Sequence, residues 1–447
     1  MSRIRIIITI IVVVLTTLLT GCTGKEPNEI AYVVALGIDS TDDDNYKITI
    51  QYANTTQISG GASESGGKAG SEIVDNVTIE APNIYAGVGL ANNIVSKSFS
   101  MSHAKLIVFS KEIAEKGVKD MIETLVRSEE IRPDVFIAVA NTTANDYLTS
   151  VNPEMEVNPA QYYQLIYQKN QLVGIPDGQL REFFTGLYTD NYDSILPVAG
   201  VIEGSGGNSQ NDDKGQSKDS QNEGSEGSSE SLDSFESKSS DENEKEKDAE
   251  KNTSKYEYDI KNYVGGETTI EKKNKAEAIG AAVFEKDKMV GELGEVETEI
   301  CKILKGDYTY SYLTYYNNDT PDIPITVKTT QQKKPKYKID TDKKTVDIEL
   351  YIESDLYSLP ADYNVENKIE DFERNVANYT SSACTEFINN FTKKYNSDIL
   401  KLSEKVKYKF LTNNQYNWFK KNVGWSEYKF SVCTNFKVRR TGLIVRE

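Results

Sequence analysis

The sequence is poor in the residues from which metal centres and histidine-dependent active sites are built. It contains one histidine, His103, and four cysteines among 447 residues. Cys301, Cys384 and Cys433 are widely spaced and include no C-x-x-C pair, so they predict neither a zinc site nor a disulfide framework. We interpret these three residues as small buried hydrophobic side chains. A histidine base has few possible partners here, and we expect no catalytic residues, no metal site and no cofactor.

Basic residues are also in the minority. The chain has 51 lysines and arginines against 69 aspartates and glutamates, which gives a formal net charge of −18. Such a chain repels nucleic acid phosphates and anionic lipid head groups, and it lacks the basic stripe that nucleic acid binding needs. Nucleic acid is therefore not an expected partner. The length predicts two or three domains rather than one core.

The first 22 residues have the layout of a secretory signal. Arg3 and Arg5 precede an apolar segment over residues 6–15, which is too short for a membrane span of about 20 residues. Leu19-Thr20-Gly21-Cys22 is a bacterial lipobox, and its resemblance to exported lipoproteins implies cleavage after residue 21 and lipidation of Cys22. A two-chain diacylglyceryl group is a stable membrane anchor, whereas one acyl chain is marginal. The alternative is an uncleaved anchor with an incidental cysteine.

Residues 22–203 have the pattern of an N-terminal α/β region. Residues 30–38 are almost continuously apolar, as in a strand buried on both faces, and residues 46–52 alternate as its hairpin partner. Residues 111–127 have helical spacing of apolar side chains. The order of segments predicts a mixed sheet with helices on its surface. We interpret His103 as a hydrogen-bonded structural residue, with a ligand or a base as the alternative. Further strands are predicted near residues 74–79, 134–140 and 195–202, and further helices near residues 82–97, 143–150, 159–169 and 179–187.

Residues 204–274 are predicted to be an acidic low-complexity linker. Serine, glycine, asparagine and charged residues fill most of this segment, with acids outnumbering lysines. It cannot bury enough apolar area to offset the entropy of ordering, so a flexible spacer is expected, with an acidic interaction tail as the alternative. The glycine- and serine-rich residues 59–71 lack the spacing of a phosphate-binding loop and are interpreted as a surface loop.

Residues 275–447 are predicted to form a C-terminal domain with a long helix and an antiparallel sheet. The domain begins with a predicted hairpin over residues 278–293 and a helix over residues 295–304. A longer helix over residues 366–395 has one apolar stripe, which we expect to pack on a sheet. A membrane-surface helix is the alternative for that stripe. Residues 346–352, 406–410 and 428–438 alternate as half-buried antiparallel strands, the first with acidic and the others with basic outer faces. The whole predicts an α+β, multi-domain fold of mixed and antiparallel sheets with packed helices, about three domains in all.

Several segments resemble the Ger(x)C family of spore germination proteins, the lipoprotein C subunits of nutrient germinant receptors. The lipobox comes first. The other segments that resemble the family are Glu26-Pro-Asn-Glu-Ile30, Leu36-Gly-Ile-Asp39, Ser102-His103-Ala-Lys105, Ala114-Glu-Lys-Gly117, Arg127 with Glu130-Ile-Arg132-Pro133, Ala282-Val-Phe284, Asp287-Lys-Met-Val-Gly291, the Trp418 and Trp425 region and Val438-Arg-Arg-Thr-Gly442.

The resemblance implies a lipid-anchored protein on the outer face of the spore inner membrane, beside membrane-embedded A and B receptor subunits. No enzymatic activity is known for such proteins. A small-molecule nutrient is a possible ligand. A solute-binding lipoprotein of an importer remains an alternative, because it also begins with a lipobox and 27 tyrosines could line a cleft. A wall-modifying hydrolase also remains, since paired carboxylates could be present among the 69 acidic residues.

Overall fold

The computed structural model describes residues 3–7, 9, 29–43, 45–53, 74–152, 159–168, 174–189, 193–202, 262–268, 274–317, 320–358 and 368–441. Cys22, the predicted surface loop over residues 59–71 and most of the predicted linker lie outside these residues. Within them the protein has two β-sheets with helices packed on them, which confirms the α+β class. Among the helices of this described part, none is long and apolar enough to cross a membrane.

The larger sheet has nine strands and mixes parallel with antiparallel pairs. Its order is β3-β2-β1-β5-β6-β7-β8-β9, with β4 beside the start of β1. The strands are β1 (Ile30–Ser40), β2 (Tyr46–Ala53), β3 (Val74–Ala81), β4 (Ser98–Ser100), β5 (Leu106–Ser110), β6 (Phe136–Ala140), β7 (Ile195–Val201), β8 (Ala276–Glu285) and β9 (Lys288–Leu293). Strands β1, β5, β6 and β7 are parallel, and the hairpins at both ends are antiparallel.

Helices cover both faces of this sheet, which explains why its central strands are apolar throughout. In β5, Ile107 and Phe109 contribute to the core on one face, and Leu106 and Val108 contribute to the core on the other. Every residue of β5 is buried, as a strand covered on two sides requires. The helices of this region are α1 (Ile84–Ala91), α2 (Lys111–Lys116), α3 (Lys119–Val126), α4 (Ala144–Ser150), α5 (Pro159–Gln168) and α6 (Leu180–Leu187). The predicted mixed sheet with surface helices is confirmed.

Two helices of this region differ from their predicted extents. Residues 111–127 form α2 and α3 rather than one helix, because Gly117 has a φ of 125°, which no helical residue adopts. Helix α1 is shorter than predicted and begins after Asn83, whose side chain accepts a hydrogen bond from Ala86 N at 2.9 Å. An asparagine cap satisfies a backbone N–H that has no partner within the helix.

The predicted C-terminal hairpin completes the N-terminal sheet. Strand β8 pairs antiparallel with β7, with Gly200 opposite Glu277 and Val201 opposite Ala276, and β9 then forms the sheet edge. Residues 262–268, within the predicted linker, pack against β7 and donate hydrogen bonds to the buried Glu277 from Gly266 N and Thr268 Oγ1. The sheet thus joins strands from both sides of the predicted linker, because its backbone hydrogen bonds do not depend on sequence order.

The second sheet has five strands centred on β13. They are β10 (Tyr310–Asn317), β11 (Thr320–Gln331), β12 (Lys336–Asp340), β13 (Thr345–Ser358) and β14 (Lys429–Arg440). Strands β11 and β12 pair with successive halves of one edge of β13, and β14 pairs with its other edge. The alternation of β13 is confirmed, with Val346, Ile348, Leu350 and Ile352 all buried.

The long helix α8 (Ile369–Tyr395) packs on the second sheet and helps to form its core. Its stripe buries Phe372, Val376, Phe387 and Phe391. Asn389 fixes the helix against β14, since its side chain donates to Phe430 O at 3.0 Å and accepts from Phe430 N at 3.1 Å. The predicted core helix is confirmed. The preceding helix α7 (Glu295–Lys305) ends at Gly306 in the left-handed conformation, as predicted.

Three predictions for the C-terminal region are wrong. Residues 405–410 are not a strand: α9 (Leu402–Lys405) is followed by a 3-10 turn over Lys407–Lys409. The cause is local, because both carboxylate oxygens of Asp398 accept backbone N–H groups at the start of α9. Strand β14 is parallel to β13 rather than antiparallel. Cys433 is exposed, whereas Cys301 and Cys384 are buried, because Cys433 lies on the outer face of β14.

Candidate functional site

The predicted lipidation site, Cys22, lies outside the described residues, and the other singled-out residue, His103, lies on the surface before β5. The His103 ring meets the Tyr32 ring edge-on with centroids 4.7 Å apart, and Ser102 Oγ lies 3.1 Å from His103 Nδ1. These contacts orient the imidazole. They confirm the interpretation of His103 as a hydrogen-bonded residue. Across the described ranges, no three His, Cys, Asp or Glu side chains group in a way that could hold a metal ion.

A groove of about 330 Å³ lies between β9, α7 and α8. Its volume is within the usual range of small-molecule sites. Aromatic and aliphatic side chains, including Phe387 and Phe391, line its floor, while Glu292, Glu297, Glu386 and Lys394 supply its charges. No sequence motif marks this groove, since its residues come from three separate elements.

Two of the three groove carboxylates already have structural partners. Glu297 accepts hydrogen bonds from Gly294 N at 3.1 Å and Asn262 Nδ2 at 3.0 Å, which caps the start of α7. Glu292 forms an ion pair with Lys111 at 2.9 Å, and this hydrogen bond raises the pKa of Lys111. Lys394 also has a partner, since its Nζ lies 4.7 Å from the centroid of the Tyr395 ring. The groove therefore offers mainly Glu386 to a bound group, beside an apolar floor.

A half-buried carboxyl group, Glu299, also lies on α7. Burial raises the pKa of Glu299 to about 7, against the opposing effect of hydrogen bonds with Ser311 and Tyr308. Tyr308 is itself buried and hydrogen-bonds Thr329. Because the pKa of Glu299 is raised towards neutral pH, protonation of this carboxyl group is linked to folding of the region around α7.

A third polar group joins α7 to the first sheet region. The Lys302 ammonium is buried and donates to Ile175 O at 3.1 Å, and its desolvation lowers the pKa of Lys302. Asp177 and Asp307 line the same cavity of about 40 Å³. A buried ammonium needs such partners, so this cluster stabilises the contact between residues 174–177 and α7.

Two family models match the chain on either side of the predicted linker. Residues 24–201 match the spore germination protein N-terminal domain, and residues 279–442 match the model described as spore germination B3/GerAC like, C-terminal. The chain belongs to the Ger(x)C family of spore germination proteins. This confirms the resemblance of the segments quoted above, and membership of the Ger(x)C family supports a role in spore germination.

Curated relatives match over shorter stretches. Spore germination protein KC of Bacillus subtilis (strain 168) is 26% identical over 176 residues, 36% of this chain and 43% of that protein. Putative spore germination protein YfkR of the same organism is 28% identical over 145 residues, 32% of this chain and 37% of that protein. The matches thus span less than half the length of these relatives. The crystal structure of the GerBC protein aligns with a TM-score of 0.48 at 15% identity, covering 90% of this chain and 96% of that chain.

Proposed function

We propose that this Ger(x)C chain is a non-enzymatic lipoprotein subunit of a spore germinant receptor. The observation that carries the proposal is the match of both halves of the chain to the spore germination family. The subunit would lie on the outer face of the spore inner membrane and support nutrient-triggered germination through contacts with membrane-embedded A and B subunits.

Cys22 is the proposed attachment point of the diacylglyceryl anchor. The sequence Leu19-Thr20-Gly21-Cys22 supports this assignment. Strand β1 begins at Ile30, eight residues after Cys22. A fully extended chain spans at most about 3.5 Å per residue, so the start of β1 would lie within about 28 Å of the anchor. The folded body would therefore stay next to the bilayer rather than range far from it.

A cysteine substitution in spores tests the proposal. We expect Cys22→Ala to move the protein out of the spore membrane fraction and to lower germination on nutrients to the level of the deletion strain. Cys433→Ala is the matched control, because it removes an exposed thiol from the described surface and leaves the lipobox intact. Normal germination of the deletion strain on every nutrient, in spores lacking related receptors, would contradict the proposed role.

Crosslinking tests the proposed partners separately. Membranes from spores with the unaltered chain should yield crosslinks to the A and B subunits after solubilisation. Membranes in which the chain is abundant and crosslinks to neither subunit would refute the contact model, even if Cys22 carries lipid.

A further inference from the structure

Residues 401–422 form a basic, apolar surface on an otherwise acidic protein. This stretch contains six lysines and one glutamate, in a chain with a net charge of −18. Three of the four most exposed large apolar side chains in the described part of the chain also lie here: Leu411 is 94% exposed, Tyr408 81% and Trp418 70%. We call Tyr408, Leu411, Trp418, Lys407 and Lys421 the lysine–aromatic surface.

The side chains behind this surface hold it in place. The Phe410 ring packs on Tyr416 and Phe419, with centroids 5.9 and 4.9 Å apart, and Phe419 meets Trp425 at 6.4 Å. Trp425 is 1% exposed and belongs to the second core. The segment thus has a buried aromatic side, and its outward apolar residues are a second, separate set.

Local helix geometry fixes which residues point outward. Helix α10 (Asn413–Asn422) begins after Thr412, whose hydroxyl accepts from Gln415 N, and it buries Tyr416. Trp418 and Lys421 are three residues apart and exposed, so they share the outer face of α10. The 3-10 turn before it exposes Lys407 and Tyr408. Tyr408, Leu411 and Trp418 are grouped within residues 408–418, and a group of exposed apolar side chains rimmed by polar residues marks an interaction site, whereas single ones do not.

We propose that the lysine–aromatic surface docks on an anionic phospholipid bilayer, as a second membrane contact beside Cys22. Tryptophan and tyrosine favour the head-group level of a bilayer, and lysine is attracted to anionic lipids. The net charge of −18 does not prevent this contact, because at physiological ionic strength charges farther than about 8 Å from the lipid are screened. The inference rests on the proposed location at a membrane and does not require lipidation.

The two tryptophans of the chain provide a built-in reporter. Trp418 is 70% exposed on this surface, whereas Trp425 is 1% exposed in the core. The full chain carrying Cys22→Ser is mixed with vesicles of equal parts phosphatidylcholine and phosphatidylglycerol with brominated acyl chains. We expect the emission of Trp418 to shift to the blue and to be quenched by the bromines. Trp418→Phe should abolish both changes, and vesicles of phosphatidylcholine alone should produce neither.

Lysine substitutions test the electrostatic contribution to binding of the anionic vesicles. Lys407→Gln and Lys421→Gln should each weaken partition into the anionic vesicles about fivefold, which corresponds to about 1 kcal/mol per lysine. Lys119→Gln in α3 is the matched control, since it removes an exposed lysine outside the surface, and it should leave partition unchanged. Circular dichroism confirms that each variant folds.

Two results would overturn the inference. In one, the chain sediments with anionic vesicles through residues 1–21 while Trp418 stays accessible to iodide in water. In the other, Trp418 becomes shielded only when the A and B subunits are added to phosphatidylcholine vesicles, which would make the surface a protein contact. Because every arm carries Cys22→Ser, a failure here is distinct from a failure of the proposed lipid anchor.

Discussion

The substitution Gly200→Ala tests the packing of residues 262–268 on the first sheet. A Cβ atom on Gly200 would lie 2.5 Å from Gly265 Cα, and closer still to Gly265 C and Gly266 N. These are backbone atoms, so no side-chain rotation relieves the overlap. Strand β7 is paired with β6 on one side and β8 on the other, and it cannot shift without breaking the sheet. The segment over residues 262–268 must therefore move away.

The hydrogen bonds lost with this segment set the magnitude. Gly265 N donates to Ile279 O at 2.9 Å, and Asn141 Nδ2 donates to Gly265 O at 2.6 Å. Gly266 N and Thr268 Oγ1 both donate to Glu277, which is buried. A neutral hydrogen bond contributes about 0.5–1.5 kcal/mol and one to a charged group about 1.5–3 kcal/mol. When the segment moves away, water also reaches the Glu277 carboxylate. We therefore expect Gly200→Ala to lower the free energy of unfolding by about 3 kcal/mol.

Urea unfolding followed by circular dichroism measures this loss. Gly89→Ala in α1 is the matched control, because a Cβ there meets nothing within 4 Å. Gly89→Ala should leave the free energy of unfolding unchanged or raise it by up to about 1 kcal/mol. Glu277→Ala combined with Gly200→Ala should destabilise less than the sum of the single variants, since both remove the same hydrogen bonds. The packing argument is refuted if the free energy of unfolding of Gly200→Ala lies within about 0.5 kcal/mol of that of the unaltered chain.

Three further predictions concern the second core. Burial raises the folded pKa of Glu299 from 4.5 to about 7, so the stabilisation it provides is complete below pH 4.5 and lost as the pH rises to about 7. Across this window the free energy of unfolding should fall by roughly 2–3 kcal/mol more in the unaltered chain than in Glu299→Gln, which keeps the raised pKa of Asp398. Asp398→Ala removes both acceptors at the start of α9 and should lower stability by about 1–2 kcal/mol in thermal melts. Alkylation with peptide mapping should label Cys433 in the folded chain and spare Cys301 and Cys384, whose thiol pKa values burial raises to about 11 and about 12.

The buried residues of strongly periodic helices and strands were predictable, because the spacing of apolar residues shows which side chains share a face. The stripe of α8 and the alternation of β13 both identified their buried residues. The acidic outer face of β13 lies beside the basic outer face of β14, since Glu353 lies opposite Lys437 and forms an ion pair with Arg439 at 3.2 Å. The parallel direction of this pair was not predictable, because either direction satisfies the backbone hydrogen bonds and buries the same face.

Residues 405–410 show where periodicity misleads. Alternation placed Tyr408 inside a strand, whereas it is among the most exposed side chains described. The signals that favour the observed turn were local: Asp398 stands four residues before the start of α9, and Thr412 caps α10. Caps of this kind compete with a short alternating pattern and would have identified the starts of both helices.

The charge of the chain, the lipobox ending at Cys22, the family resemblance and the buried face of each long periodic element could be read from the order of residues alone. Folding in three dimensions was needed to show that β8 and β9 extend the first sheet, that residues 262–268 pack on Gly200, and that Trp418 is exposed near lysines. The reason is physical: periodicity is a property of consecutive residues, whereas strand partners and side-chain exposure depend on which distant segments compete for the same edge or surface.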